Sequence, residues 1–267
     1  MPIQVCLAGA TGWAGSALAR GIARANDLQL TGAVARSHAG KNLGDVLDIA
    51  NLECPIYATA QEACAQTYDV FVEYTKPNVA KQNVLTALAH GAHVVVGTSG
   101  LTADDYAEIE HAAHAAQRGV LAVGNFALMV VLLQKFADIA AKYIPQWEII
   151  DYAHDDKIDA PSGTARELAH RLSQVRASQL TIPLEQTEGE ITARGARMTG
   201  SQIHSLRLPG YTLSTEIIFG MPEQRLSIRH DTGSSAEPYV DGALLAIRKV
   251  GTFTGLRRGL DSVMDLE

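Results

Sequence analysis

A glycine-rich segment near the N-terminus constrains the fold of this chain more than any other feature. Gly9-Ala-Thr-Gly12-Trp-Ala-Gly15 follows a short apolar run, Ile3–Leu7, and leads into a segment with helical spacing of apolar residues, Gly15–Ala25. In such a loop the first glycine permits a tight turn, the second lets the backbone approach a pyrophosphate, and the third lets the helix pack on the strand. The helix N-terminus offers amides and the positive end of its dipole to the anion. The segment predicts a dinucleotide-binding loop; a purely structural turn is the alternative.

The residues that we expect to contact the dinucleotide are Gly9, Thr11, Gly12, Trp13 and Ala14 of this loop, together with Arg36. About twenty residues beyond the loop, the second strand should end at the residue that faces the adenosine ribose, where an acid would accept the 2′-hydroxyl of NAD. Here the strand end contains no acid and is followed by Arg36. Because a guanidinium binds phosphate in a forked geometry, we expect NADPH rather than NADH. The alternative is that Arg36 is simply a solvated residue.

The first half of the chain alternates short apolar runs with longer helical segments, which predicts a doubly wound parallel sheet of the Rossmann type. The candidate strands are Ile3–Leu7, Gln29–Ala35, Val70–Tyr74, His93–Val96 and Val120–Val123, and the candidate helices between them are Gly15–Ala25, Asn78–His90 and Thr102–Gln117. Thr102 is a candidate N-cap.

After residue 124 the pattern changes to a second α+β domain with a mixed sheet. Its candidate elements are the helix Asn125–Tyr143, the strand Gln146–Ala153, a helix from about Thr164 to Val175, and the strands Ile203–Leu208, Thr215–Phe219 and Gln224–His230. We expect a last helix, Tyr239–Val250, to pack on the first domain. The predicted boundaries are therefore 1–124, completed by 234–267, for the dinucleotide-binding domain, and 125–233 for the second.

Composition excludes several other functional classes. With 47% hydrophobic and 19% charged residues the chain is typical of a globular enzyme, and its net charge of −7 argues against a nucleic-acid-binding protein. No apolar run reaches the roughly 18 residues that span a bilayer, and the N-terminus has no basic region typical of a signal peptide. Three cysteines without a CxxC pair predict reduced structural thiols in a cytoplasmic protein, with no metal site.

The most distinctive segment is Lys157-Ile-Asp-Ala-Pro-Ser162-Gly-Thr164-Ala165. Thr164 and Glu167 have the spacing of a capping box, so a helix should start here. Amides around Ser162, Gly163 and Thr164 would then face a substrate carboxylate, with Lys157 close enough to donate a proton. An ordinary capped helix with a surface lysine is the alternative.

This segment resembles the KxDAPSGTA motif of the 4-hydroxy-tetrahydrodipicolinate reductases, also called dihydrodipicolinate reductases, of lysine and diaminopimelate biosynthesis. Four further matches extend the resemblance over most of the chain. They are the loop Gly9–Gly15, the strand end Val70-Phe-Val-Glu-Tyr-Thr75-Lys-Pro77, the turn Gly97-Thr-Ser-Gly100, and Asn125-Phe126 at the domain junction.

The resemblance implies transfer of hydride from NAD(P)H to a cyclic, unsaturated dicarboxylate, in a homotetramer built by the second domain. It implies that Lys157 protonates the substrate, with His154 beside it, while Ser162, Gly163 and Thr164 hold a carboxylate. It also places four residues beside the nicotinamide: Thr75, Gly97, Thr98 and Phe126.

The chain departs from the family in this second half. The family's paired histidines before the lysine are Ala153 and His154 here, followed by Asp155 and Asp156. We expect these acids to lower the positive potential that attracts a dianion and to raise the pKa of Lys157; a solvated loop face is the alternative. His154 is either a substrate contact or a structural histidine.

The family's GEHT segment has only Ser214-Thr215-Glu216 as its nearest counterpart. Three hypotheses follow: a lysine-pathway reductase with a divergent motif, a reductase of the same fold acting on another cyclic imine in specialised metabolism, or a nucleotide-binding scaffold without catalysis. The intact lysine and Ser-Gly-Thr core argues against the scaffold.

Overall fold

A computed structural model describes residues 1–265 and divides the chain into two compact units. The first unit comprises Met1–Leu128 and the segment from Ala236 onward, and the second comprises Met129–Ser235. The last two residues of the predicted 234–267 segment lie outside the described part. The observed division lies a few residues after the predicted boundary at residue 124. In the intervening segment the side chain of Asn125 accepts the Ala127 amide at 2.9 Å.

The first unit contains an all-parallel sheet, as predicted, but with seven strands rather than the five candidates. Its strands are β1 (Ile3–Ala8), β2 (Leu28–Val34), β3 (Ile56–Tyr57), β4 (Val70–Glu73), β5 (His93–Val96), β6 (Gly119–Ala122) and the last strand of the chain, β12 (Gly255–Arg258). Their spatial order is β12-β6-β5-β4-β1-β2-β3. The order reverses between β1 and β4, which is the position where open α/β sheets bind ligands, at the carboxyl ends of the strands.

The helices of the first unit are α1 (Trp13–Arg24), α2 (Leu43–Leu47), α3 (Ala60–Ala63), α4 (Pro77–Ala89), α5 (Ala103–Ala116) and α8 (Val240–Lys249). Thr102 caps α5 in a capping box with Asp105, which confirms the predicted N-cap. Helix α8 packs on α1, with Val240 lying against Gly21. The last helix therefore belongs to the first unit, as expected.

The strands of this sheet read as apolar runs because both faces are buried. Phe71 and Val94, for example, are fully buried within one hydrophobic cluster. Glu73, at the end of β4, is equally buried but charged, and it contributes to the site described below.

The second unit packs two helices on one face of a five-stranded mixed sheet, which confirms the predicted α+β class. Its elements are α6 (Leu128–Tyr143), β7 (Gln146–Ala153), α7 (Gly163–Val175), β8 (Ala196–Met198), β9 (Ser201–Arg207), β10 (Leu213–Met221) and β11 (Gln224–Thr232). The strand order is β11-β10-β7-β9-β8, and β7 and β9 run parallel while the other neighbours are antiparallel.

Alternate residues of β7 face the two helices. Trp147 and Ile149 are buried against Leu133 of α6 and Leu168 of α7. The next residue on that face is Asp151, which is only 1% exposed. None of the helices in residues 1–265 is long and apolar enough to cross a membrane.

Candidate active site

The glycine loop between β1 and α1 has the close backbone approaches that its sequence predicts. Gly9 adopts a φ of +81°, and a Cβ there would lie 2.2 Å from the carbonyl oxygen of Tyr74. A Cβ on Gly15 would lie 2.1 Å from the carbonyl oxygen of Gly9. The turn is closed by the amide of Gly12, which donates to Gly9 at 2.9 Å. Side chains larger than hydrogen are therefore excluded where the loop crosses the carboxyl end of the sheet.

The N-terminus of α1 is open to an anion. Gly12 is the N-cap and supplies no side-chain hydrogen bond, and the first turn contains no acid. The amides of Trp13 and Ala14, at the first two helical positions, have no partner within the helix. Trp13 is 62% exposed and packs edge-on against Tyr239, with ring centroids 5.8 Å apart. Thr11 is half-buried in the same loop. Together the glycine cradle and the free amides fit a dinucleotide pyrophosphate.

The end of β2 carries the residue expected to face the ribose. Arg36 begins a short 3-10 turn, is exposed, and has no ion-pair partner recorded within the described chain. No carboxylate lies in that turn, and Ser37 and His38 are hydrogen-bonded to each other at 2.9 Å. The guanidinium is therefore available to an anionic ligand.

The residues expected beside the nicotinamide come from β4, β5 and the segment after β6. The hydroxyl groups of Thr75 and Thr98 both donate to the carboxylate of Glu73. Phe126 is 5% exposed, and its ring centroid lies 5.5 Å from that of Tyr74. A Cβ on Gly97 would meet both rings, so these residues form one cluster. Glu73 was not singled out from the sequence, although an acid inside a buried apolar strand is a usable signal.

In the second unit, Ser162 rather than Thr164 caps α7. The Ser162 hydroxyl accepts the amide of Ala165 at 3.3 Å. The predicted capping box of Thr164 and Glu167 is wrong, and the reason lies in β7. The carboxylate of Asp151 accepts the Ser162 amide at 2.8 Å and fixes the helix start at Gly163.

This cap leaves two amides at the start of α7 free. Gly163 and Thr164 occupy the first two helical positions, where no intrahelical acceptor exists. Within residues 1–265 neither amide has a recorded partner, whereas the Ser162 amide is committed to Asp151. Gly163 is exposed, so an incoming carboxylate can reach these donors.

Both basic side chains of the loop before α7 contact a carboxylate. The Lys157 ammonium contacts Asp159 at 2.5 Å, and His154 contacts Asp156 through its Nδ1. The Lys157 hydrogen bond lowers the pKa of Asp159. From the sequence, Asp155 and Asp156 were the acids expected to interact electrostatically with Lys157. Both are exposed, and the contact comes instead from Asp159.

A buried ion pair ties this loop to the sheet. Arg207 donates to the Asp151 carboxylate at 2.8 Å and to the carbonyl oxygen of Asp159 at 2.6 Å. Asp151 also accepts the hydroxyl of Ser205 at 3.2 Å. Lys157, Asp159, Arg207, Asp151 and Ser162 are thus joined by consecutive contacts. Neither Asp151 nor Arg207 was predicted, although an acid on the helix-facing side of β7 breaks the apolar alternation visible in the sequence.

Ala153 ends β7 in a fully buried position, between Arg207 of β9 and Leu213 of β10 in the sheet register. Residues 1–265 contain no group of three or more His, Cys, Asp or Glu side chains that could hold a metal ion. The three cysteines are free and buried.

Fold and site together are those of a pyridine-nucleotide-dependent reductase. The N-terminal family profile, dihydrodipicolinate reductase N-terminus, matches residues 3–126, and the C-terminal profile, dihydrodipicolinate reductase C-terminus, matches residues 129–264. The chain belongs to the dihydrodipicolinate reductase family, which confirms the resemblance found in its sequence.

Named relatives cover almost the whole chain. A 4-hydroxy-tetrahydrodipicolinate reductase of Thermosynechococcus vestitus is 38% identical over 98% of this chain and 97% of its own length. The enzyme of the same name from Oceanobacillus iheyensis is 37% identical, over 99% and 100% respectively. The dipicolinate-bound dihydrodipicolinate reductase from Paenisporosarcina sp. TG-14 superposes with a TM-score of 0.89 at 30% identity, covering 99% of this chain and all of that one.

Proposed function

We propose that this reductase acts on the substrate for which its relatives are named, 4-hydroxy-tetrahydrodipicolinate, with NADPH as the preferred hydride donor. The observation that carries the proposal is the start of α7, where two free amides, of Gly163 and Thr164, follow a loop that holds Lys157. A cyclic dicarboxylate presents a carboxylate for such amides and a ring that needs a proton. The Paenisporosarcina relative, which binds dipicolinate, supports this class of ligand.

In the proposed complex one substrate carboxylate accepts the Gly163 and Thr164 amides, strengthened by the dipole of α7. The Ser162 hydroxyl already accepts the Ala165 amide, so its proton remains available to the same carboxylate. The buried Asp151–Arg207 pair holds these donors in place through the Ser162 amide. His154, 43% exposed in its side chain, is the candidate contact for another part of the substrate.

When bound beside Thr75, Gly97, Thr98 and Phe126, a reduced nicotinamide would supply the hydride for a carbon of the unsaturated ring. Lys157 donates its proton to the other end of the reduced double bond, so the ring gains two hydrogens. The lysine is left as a neutral amine and recovers its proton from solvent. Asp159 holds the ammonium at 2.5 Å and so limits where the donor can point. Lys157 is thereby a general acid in the sense of a positioned proton donor.

We propose NADPH over NADH because of the residues after β2. Arg36 is exposed and without a recorded carboxylate partner in the described chain, and the turn that it begins contains no acid. A 2′-phosphate would gain a forked contact there, whereas a 2′-hydroxyl would lose the usual carboxylate. The pyrophosphate would meet the α1 amides beside Gly12, and the nicotinamide would lie by Thr75, Gly97, Thr98 and Phe126.

We further propose a homotetramer assembled through the second unit and a cytoplasmic location. The sheet of that unit carries helices α6 and α7 on one face, and the apolar side chain of Leu226 on its edge strand β11 is 46% exposed. Free, buried thiols at Cys6, Cys54 and Cys64 support a reducing compartment. Sedimentation of the purified protein would test the tetramer directly.

The test of the reaction is oxidation of NADPH with substrate made in situ from aspartate semialdehyde and pyruvate by the preceding synthase. We expect turnover of about 1 s⁻¹ or more, the ordinary enzyme range. Lys157→Met should abolish turnover while leaving NADPH binding intact. Lys135→Met, on helix α6 of the same unit, is the control. Unchanged turnover in Lys157→Met would disprove the proton-donor role.

A second candidate substrate is favoured by one observation, the fully buried Ala153 where the family motif has a histidine. Losing that imidazole removes a polar contact next to Arg207, so another cyclic imine could be the preferred ligand. Absence of turnover in the coupled assay, with NADPH binding intact, would favour this alternative. A panel of cyclic imino acids would then identify the class.

A further inference from the structure

We propose that Glu73 is a positioning residue that turns Thr75 and Thr98 into hydrogen-bond acceptors for the carboxamide of the nicotinamide. The inference deepens the proposed function and rests on its cofactor site. It concerns a group that touches no ligand itself and acts through the two threonines.

Glu73 lies at the carboxyl end of β4, next to the switch point of the sheet, and is 0% exposed. One of its oxygens, Oε1, accepts three donors: the amide of Thr75 at 2.8 Å, the hydroxyl of Thr75, and the hydroxyl of Thr98 at 3.2 Å. The other oxygen, Oε2, accepts the side-chain amide of Asn83 on α4 at 2.8 Å. The carboxylate therefore joins three segments: the loop after β4, the turn after β5 and the middle of α4.

A hydroxyl that donates its single proton to a carboxylate keeps only lone pairs for other partners. The Thr75 hydroxyl is in this state, and the Thr98 hydroxyl donates either to the Glu73 carboxylate or to its backbone carbonyl oxygen at 3.3 Å. Both hydroxyls are thus fixed as acceptors. The nicotinamide carboxamide carries an NH₂ group with two donors, which is the matching chemistry. A carboxylate in its place would meet lone pairs and be repelled.

The complete burial of Glu73 argues against a purely structural role for this acid. Val70, Phe71 and Val72 precede it in the same strand and are all buried and apolar. Burial also raises the pKa of Glu73, against the lowering effect of the hydrogen bonds from Thr75 and Asn83. A buried ionisable group costs stability relative to an apolar one at such a position. Four hydrogen-bond donors surround the Glu73 carboxylate, and two of them are the threonine hydroxyls. Orienting these hydroxyls towards a ligand would give the buried carboxylate a function.

Glu73→Gln tests the orientation because it keeps the shape and changes the donor pattern. A glutamine has one acceptor oxygen and an NH₂ that donates, so it cannot accept at both positions. If the NH₂ takes the Oε1 position, the Thr75 and Thr98 hydroxyls must turn away; if it takes the Oε2 position, it meets the NH₂ of Asn83 instead. We expect NADPH binding, measured by calorimetry, to weaken about tenfold, the effect of about one hydrogen bond. Adenosine 2′,5′-bisphosphate, which lacks the nicotinamide, should bind within about twofold of wild type.

Two further variants sharpen the test. Thr98→Val removes one acceptor and leaves the Glu73 side chain with its Thr75 and Asn83 donors. It should give the same selective loss, which keeps the inference testable if Glu73→Gln folds poorly. Glu110→Gln changes an exposed acid on α5 of the same unit and should change neither affinity. Wild type should also prefer NADPH to its nicotinic acid analogue, and Glu73→Gln should reduce that preference.

Equal weakening of both ligands by Glu73→Gln would show a general structural role and overturn the inference, as would unchanged binding of both. Thr98→Val with wild-type affinity for NADPH would likewise contradict it. If the wild-type protein bound the bisphosphate but not NADPH, the nicotinamide site and this inference would be refuted, while the proposed site for the adenosine phosphates would stand. A wild-type protein that binds neither would refute the proposed cofactor and this inference together.

Discussion

Replacing Arg207 by methionine should destabilise the second unit and displace the start of α7. The variant leaves the Asp151 carboxylate, 1% exposed, without its counter-charge. Breaking a buried ion pair from one side costs about 3–5 kcal/mol. Asp151 would keep the Ser162 amide at 2.8 Å and the Ser205 hydroxyl at 3.2 Å. We therefore expect the lower end, about 3 kcal/mol in the free energy of unfolding.

The assay is urea unfolding at fixed protein concentration, since assembly would make stability depend on concentration. The matched control is Arg194→Met in the same unit. Arg194 contacts Glu148 at 2.5 Å, but both side chains are 37% exposed. Such an exposed pair contributes below about 1 kcal/mol.

Binding of dipicolinate, the ligand of the Paenisporosarcina relative, to the proposed site provides the second measurement. Arg207→Met should weaken it, because the Asp159 carbonyl and the Ser162 amide lose their common anchor. Arg207→Met combined with Asp151→Asn should recover part of the lost stability, since no unpaired charge then remains buried. If Arg207→Met cost no more than Arg194→Met, the argument from burial would be refuted.

Three other substitutions test the first unit. Gly9→Ala should cost at least about 1–3 kcal/mol, the range for a strained backbone, because its φ is +81° and its Cβ would lie 2.2 Å from the carbonyl oxygen of Tyr74; thermal unfolding checks this. The pKa of Asp105 is lowered to about 2, chiefly by hydrogen bonds from Thr102. Its stabilisation is therefore complete above the unfolded value of about 3.9 and lost as pH falls towards 2, so the difference in Tm between wild type and Asp105→Asn should shrink over that range. Arg36→Glu should weaken NADPH more than NADH, and an unchanged preference would remove Arg36 from the cofactor argument.

The elements with strong periodicity were predictable, and those defined by distant partners were not. Strand β7 was predicted with its observed bounds, Gln146–Ala153, because an apolar alternation marks it. Strand β12 was missed because Gly-Leu-Arg-Arg has no such alternation and is a strand only through its pairing with β6. Strand β3 was missed because it is only two residues long, too short to show an alternation of apolar and polar residues.

The same distinction applies to the site. The glycine loop was predictable because turn, strand and helix are contiguous in sequence. The cap of α7 was misassigned because Ser162 is selected by Asp151, eleven residues earlier in the chain. Local spacing favoured Thr164 and Glu167, but a buried carboxylate from a neighbouring strand decided the helix start. Which acid pairs with Lys157 is likewise set by the fold of the loop, and adjacency in sequence pointed to the wrong one.

These pairings change how a dianionic substrate would be attracted. Lys157 is paired with Asp159 and Arg207 with Asp151, so neither is an uncompensated positive charge. Long-range attraction depends on net charge and is weak in such a loop. The amides of Gly163 and Thr164 remain as short-range hydrogen-bond donors. They can bind a carboxylate even though acidic side chains lie nearby. Asp159 belongs to the motif that the chain shares with the family, so these pairings are not departures from it. The departures Asp155 and Asp156 are exposed and add negative charge to the same loop. They should therefore slow association of a dianion rather than remove the binding site.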